Sequence, residues 1–275
     1  MTLGELMIPV PGGRLYAVDE GSGPPIVLLH AGIVDSRAWE SLVPLLVGAG
    51  RRVIRFDARG FGRSETDDVA FSNRADVLAV LDARGIRRAC LVGNSRGGQI
   101  ALDTAVESPD RVAAVVTLGS NLGGYEPEPT PAEAALFEAM ERLEEGGDAE
   151  ATVDFHLRLW VDGAGQPPDR VPATMREAVR EMARAAADPG RTHGSPIRLD
   201  PPAADRLDDL TMPVLAVAGA LDVSDTWATA QHLERSCPDA GAVLVPDVAH
   251  MIALEAPDLV ARLVVDLLRP LGAYS

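Results

Sequence analysis

A chain of 275 residues, 47% hydrophobic and 24% charged, is long enough for one large α/β domain, and at this size folding buries roughly three-quarters of the unfolded surface without disulfide staples. Its formal net charge of −16 opposes a phosphate backbone, and no basic stripe interleaved with aromatics offsets it, which excludes nucleic acid as a partner. All 25 basic residues are arginine, so lysine Schiff-base, pyridoxal-type and Walker-type phosphate chemistry drop out as well.

The first residues, MTLGELMIPVPGG, have no basic region ahead of an apolar stretch, and no apolar run is long enough to span a bilayer. A soluble, unprocessed protein without membrane contact is expected. An antiparallel hairpin follows, 7–10 with 14–18, turned by Pro11, Gly12 and Gly13. Continuous apolar runs at 26–29, 53–56, 89–92, 112–118, 214–218 and 242–245 then read as strands buried on both faces, the mark of a parallel sheet. Helical patterns at 39–47, 73–84, 99–106, 226–235 and 257–268 alternate with them, with Gly85 as a C-terminal stop and Pro257 as a first-turn proline. The expected fold class is α/β, a doubly wound, mostly parallel sheet.

Between the strand ending at Leu118 and the one starting at Val214 the gap is far too long for a single crossover. Helical periodicity at 131–145, 150–161 and 172–187, separated by Pro/Gly-rich stretches, predicts an inserted helical cap. The expected division is a core of residues 1–121 and 206–275 with a cap over 122–205. Cys90 and Cys237 are far apart in sequence, the first in a predicted strand, so a reducing, cytoplasmic setting is expected. Five histidines without HExxH or Cys/His ligand spacing predict no metal site, and nothing in the chain calls for a cofactor.

In an α/β sheet reactive residues collect beyond the carboxyl ends of the strands. There the sequence places His30-Ala31-Gly32, then Asp57 in the turn DARGFGRS, then Ser95 in GNSRGG, then Asp222, then His250 in PDVAHM. Ser95 has glycines two positions away on either side, Gly93 and Gly97, as a tight strand-to-helix turn requires, and Gly98 lets the next helix approach the sheet. A GxSxG elbow followed by Asp and then His resembles the α/β-hydrolase family, and the resemblance runs the length of the chain, including the loop after the first strand with Trp39 downstream and the DxRGxGxS turn.

The resemblance implies a capped serine hydrolase acting on a carboxylic ester or related small acyl compound, with Ser95 as nucleophile, His250 as base and Asp222 as the acid that orients it. Asp225 is a rival acid, although its SDTW setting looks like a helix start, where aspartate caps. His156, His193 and His232 are read as structural, and His30 as a loop-shaping residue. The oxyanion donors would be the backbone N–H of Arg96 and that of Gly32, with Ile33 the alternative because Ala31 replaces the family's usual glycine. The Arg96 cation at a helix N-terminus calls for an anionic partner, either a nearby Asp or Glu or a substrate carboxylate. Phe137, Phe155 and Trp160 are the cap residues expected to face substrate. Rival activities are enol-lactone or dicarbonyl carbon–carbon bond hydrolysis, and, outside enzymes, a ligand receptor built on the same fold. The oligomeric state is not legible.

Overall fold

The computed structural model describes residues 4–273. Short strands with apolar side chains pointing both ways need helices on both sides, and that is what forms. β1 (Gly4–Val10) and β2 (Gly13–Gly21) make the hairpin, followed by β3 (Pro25–Leu29), β4 (Arg52–Phe56), β5 (Ala89–Asn94), β6 (Val112–Leu118), β7 (Val214–Gly219) and β8 (Ala240–Val245). Their order across the sheet is β1-β2-β4-β3-β5-β6-β7-β8, parallel from β4 onward, with the two-residue strand Glu65–Thr66 beside β2. The helices are α1 (Val43–Gly48), α2 (Asn73–Ala83), α3 (Arg96–Glu107), α4 (Pro131–Gly146), α5 (Ala149–His156), α6 (Ala173–Ala186), α7 (Ser224–Ser236), α8 (Ile252–Glu255) and α9 (Pro257–Leu268). None of the described helices is long and apolar enough to cross a membrane.

Alternate strand residues feed two cores. Val27, Leu29 and Leu91 pack with Val80 of α2, Leu102 of α3 and Leu233 of α7, while Ile26, Leu28 and Val92 pack with Leu46 of α1 and Val264 of α9. The strand order reverses at β3, which has β4 on one side and β5 on the other. The carboxyl ends of β3 and β5 therefore flank the crevice in which open α/β sheets bind ligands.

The insertion between β6 and β7 holds α4, α5 and α6. A capping box between Thr130 and Glu133 starts α4, Gly147 at φ 72° ends it, and the Asp148 carboxylate accepts from the Ala151 N–H to start α5. Val153, Leu157, Val161, Val179 and Met182 of the insertion pack on Ala31, Val34 and Met251 of the core. The insertion is thus seated on the loop after β3 and on the segment after β8.

Three expectations need correction. The helix expected over 39–47 is a 3-10 turn, Ser36–Trp39, and then the short α1, because Pro44 lacks an N–H and is tolerated only in a first turn. The helix expected over 150–161 stops at His156 and widens into a π turn, Leu157–Asp162. Arg170 donates to the carbonyls of Val161 and Asp162, and Arg176 pairs with the Asp162 carboxylate at 2.9 Å, which fixes the wide turn from outside. Finally, β8 is not buried on both faces: it is the sheet's edge, Leu244 is 41% exposed, and Glu234 of α7 accepts the Ala242 N–H at 3.1 Å.

The turn after β4 is tied to α2 by an ion pair that is almost fully out of water. Arg59 donates to both oxygens of Asp76 at 2.8 Å, and the two side chains are 2% and 6% exposed. Asp76→Ala strands that guanidinium, and the expected cost is about 3 to 5 kcal/mol, read as a lowered urea midpoint at unchanged m-value.

Candidate active site

Ser95 joins β5 to α3 with φ 55° and ψ −122°, a conformation an L-residue holds only under external constraint, at a cost of roughly 1 to 3 kcal/mol. The constraint is close backbone approach. A Cβ on Gly93 would lie 2.2 Å from the Gly97 carbonyl oxygen, one on Gly97 would lie 2.0 Å from that of Leu29, and one on Gly98 would lie 1.8 Å from Ser120 Oγ. The Ser95 N–H donates to the Leu118 carbonyl at 2.8 Å, anchoring the turn to the end of β6.

His250 and Asp222 meet across the ends of β8 and β7. The Nδ1–H of His250 donates to Asp222 Oδ2 at 2.8 Å, and the carboxylate is fully buried. Its other oxygen accepts the Val223 N–H at 2.8 Å, so the acid is held from both sides. Asn94, one residue before Ser95, donates to the carbonyls of Leu118 at 3.0 Å and His250 at 3.1 Å, which couples the serine turn to the histidine backbone. Gly119, at φ 55°, leaves room for the pair: a Cβ there would lie 3.0 Å from Asp222 Oδ2 and 3.2 Å from His250 Nδ1.

Burial pulls the His250 imidazole toward the neutral form, but the charge of Asp222 and its hydrogen bond outweigh that, with a further push from Asp225, and the net shift is upward. Asp225 is not a helix cap as expected. Val223 occupies the N-cap position of α7 without a side-chain bond, and Asp225 lies within the first turn, where burial and the Asp222 charge raise its pKa. Its Oδ1 is buried without a partner, and Oδ2 is only 3.5 Å from Asn121 Nδ2.

Arg96 opens α3, and its backbone N–H sits directly after the serine. Its side chain departs from expectation. Among the described residues no carboxylate lies within ion-pair distance; Nη2 donates to the neutral Asn73 Oδ1 at 3.1 Å, and the guanidinium lies 5.0 Å from the Phe61 ring centre. Burial lowers its pKa to about 10. The stem passes beside Gly32, where a Cβ would lie 3.9 Å from Arg96 Cδ. His30 shapes that loop by donating from Nδ1 to the Ala31 carbonyl at 2.8 Å and accepting the Ala58 N–H at Nε2 at 2.9 Å; burial keeps it neutral.

The three aromatics of the insertion separate. Trp160, on the π turn, lies with its ring centre 4.5 Å from that of His250. Phe155 sits under Arg158, and Phe137 is half-buried on α4; neither borders the cavity of about 420 Å³ above Gly32. That cavity is lined instead by Ile33, Phe61, Thr152, His156 and His193 and by small residues such as Ala183. Sequence reasoning set both histidines aside as structural. The one signal that could have marked the cavity is the recurrence of alanine at 149, 183, 186 and 187, since helices that face each other with small side chains leave space between them.

Residues 26–263 match the profile of the alpha/beta hydrolase family. The chain belongs to that family. Rhodomycin D methylesterase DauP of Streptomyces sp. strain C5 is 30% identical over 264 residues, covering 84% of this chain and 86% of its own. Among solved structures, Est816, an N-acyl homoserine lactone degrading enzyme, superposes with a TM-score of 0.72 at 28% identity over 94% of this chain and 98% of its own. A bromoperoxidase from Bacillus anthracis, with a TM-score of 0.78 at 22% identity over 97% and 100% of the two chains, shares the fold. The protein is a hydrolase of this family.

In this hydrolase the His250 imidazole is expected to titrate above its ordinary 6.5, because the surrounding carboxylates favour the cation. Asp225→Asn removes one of them without touching the Asp222 bond, so the midpoint should fall. Proton–nitrogen NMR of the imidazole reads both values, and a native midpoint below 6.5 would contradict this electrostatic account.

Proposed function

We propose that this protein hydrolyses carboxylic esters through an acyl-enzyme, with Ser95, His250 and Asp222 as its catalytic triad. The observation that carries the reading is the fully buried Asp222 carboxylate, 2.8 Å from His250 Nδ1, beside a serine strained onto a turn. With the proton on Nδ1 engaged, Nε2 presents its lone pair and acts as the base. Ser95 Oγ attacks the acyl carbon as His250 takes its proton. The tetrahedral oxyanion is met by the N–H groups of Arg96 and Gly32. Collapse expels the alcohol, which receives the proton from His250, and a water activated the same way then releases the acid and restores the serine.

The segment 122–205 acts as a cap whose apolar surface, with Ile33 and Phe61, receives the non-reacting part of the substrate in the cavity above Gly32. Trp160 against His250 shields the base from bulk water, as the ring contact supports. Neutral esters, cyclic ones included, fit best, since Arg96, the cation at the turn, is buried against the Phe61 ring and donates to Asn73.

Ser95→Ala and His250→Ala are each expected to lower turnover of an activated ester by several orders of magnitude, and the double variant to lose little more, because triad members act as a unit. A serine-directed phosphonate should add one mass to the peptide containing Ser95; labelling of Ser120 instead would overturn the assignment. Binding without turnover would point to a receptor.

Asp222→Asn forces the wrong imidazole tautomer and should cost about 10⁴ in turnover, against a much smaller effect of Asp225→Asn, the reverse ranking being evidence for Asp225 as the acid. The acid limb of kcat/KM should lie above 6.5, because the base works only when neutral and its pKa is raised, and Asp225→Asn should move that limb to lower pH.

A further inference from the structure

Further along α3 from the serine turn lies another cavity, of about 620 Å³, whose lining does not include Ser95, Asp222 or His250. It is bordered by both connections of the insertion to the core, 121–126 and 198–202, and by one face of α3 that presents Gln99 and Asp103 a turn apart. The connections are joined there by the Ala204 N–H donating to the Gly123 carbonyl at 3.0 Å. The size is that of a small-molecule site.

Its polar inner end is unsatisfied. Asp103 is only 9% exposed, and its Oδ1 is buried without a hydrogen-bond partner. Arg74, whose charge favours the ionised carboxylate, is already engaged by Glu107 at 3.0 Å and the Ile197 carbonyl at 3.0 Å. Burial pushes the Asp103 pKa up to about 6, so at neutral pH the group is a largely ionised carboxylate held away from water. The missing side chain of Gly123 opens the space in front of it: a Cβ would lie 3.2 Å from Gln99 Nε2 and 3.5 Å from Asp103 Oδ1.

We propose that this cavity is a binding site for a small organic ammonium, whose N–H groups are taken by Asp103 and whose remaining polar atoms meet the amides of Gln99 and Asn121. The charges agree with that choice, since Asp103, Glu126 and Asp200 line the cavity against a single guanidinium, Arg198. An ammonium with directional donors suits the site better than a divalent metal, because no group of three or more His, Cys, Asp or Glu side chains comes together among the described residues. A bound ligand bridges α3 and both connections of the insertion, and so holds the insertion to the core.

Calorimetric titration of the whole protein with ethanolammonium chloride at about pH 8, where ligand and Asp103 are both charged, should show saturable one-to-one binding in the millimolar range set by so few atoms. Ethylene glycol and glycolate, the neutral and anionic analogues of similar size, should bind at least tenfold more weakly. Asp103→Asn, which removes the buried charge and keeps its shape, should lose binding at least tenfold with an unchanged or higher urea midpoint. Gly123→Ala, which fills the space without backbone strain, should lose it too. Amide exchange should slow at 121–126 and 198–202 on binding. Equal affinity for ethylene glycol, undiminished binding by both variants, protection elsewhere on the acidic surface, or no saturable binding would each overturn the proposal.

Discussion

The constraint on which the rest depends is how closely the backbone doubles back between β5 and α3. With no Cβ at Gly97 the helix start sits against the Leu29 carbonyl, where any side chain would lie 2.0 Å from oxygen, and with none at Gly98 it sits against Ser120. That contact brings the end of β5 to the end of β3. Ser95 then has one available conformation, the Arg96 N–H is set at the helix start, and the Gly32 loop lies beside the Arg96 stem. The strain at Ser95 is offset by a parallel sheet whose strands β3, β5 and β6 are nearly all buried.

Several buried carboxylates are paired with arginine: Asp76 with Arg59, Asp162 with Arg176, and Asp19 with both Arg52 and Arg84, while Asp57 is held by the backbone N–H groups of Ser36 and Arg63. With no lysine in the chain, each of these pairs uses a planar guanidinium that can meet a carboxylate edge-on. Three further carboxylates, Asp222, Asp225 and Asp103, have no arginine partner among the described residues. Asp222 faces an imidazole, Asp225 has an unpartnered oxygen, and Asp103 has another. Withholding arginine from a buried acid leaves its charge free to act on a neighbour or a ligand, and pairing it spends that charge on the fold.

The insertion adds what the sheet cannot. Helix α5 widens at Leu157–Asp162, and this turn carries Trp160 to the ring of His250. A regular helix would advance each residue by a constant angle and so put the indole on another face. The wide turn is held by Arg170 and Arg176, which reach it from the following segment, and Arg170 also pairs with Glu255 of α8. The turn that carries Trp160 is therefore secured to α8, the element that follows His250.

The sequence by itself determined the local rules. Apolar runs of strand length specified a buried parallel sheet, glycine spacing marked the serine turn, and a proline placed the start of α9, because each depends on a side chain's own size, shape or missing hydrogen-bond donor. The order of Ser95, Asp222 and His250 at strand ends was legible for the same reason: strand ends can be counted along a chain. Only the tertiary structure decided what those positions touch. It turned Arg96 to Asn73 and Phe61 with no carboxylate at ion-pair distance among the described residues, left β8 as an exposed edge, kept Phe137 and Phe155 off the cavity, and opened a space before Asp103. Distances across chain separations of tens of residues follow from how whole elements pack, and packing is a property of all their side chains together, which no local pattern contains.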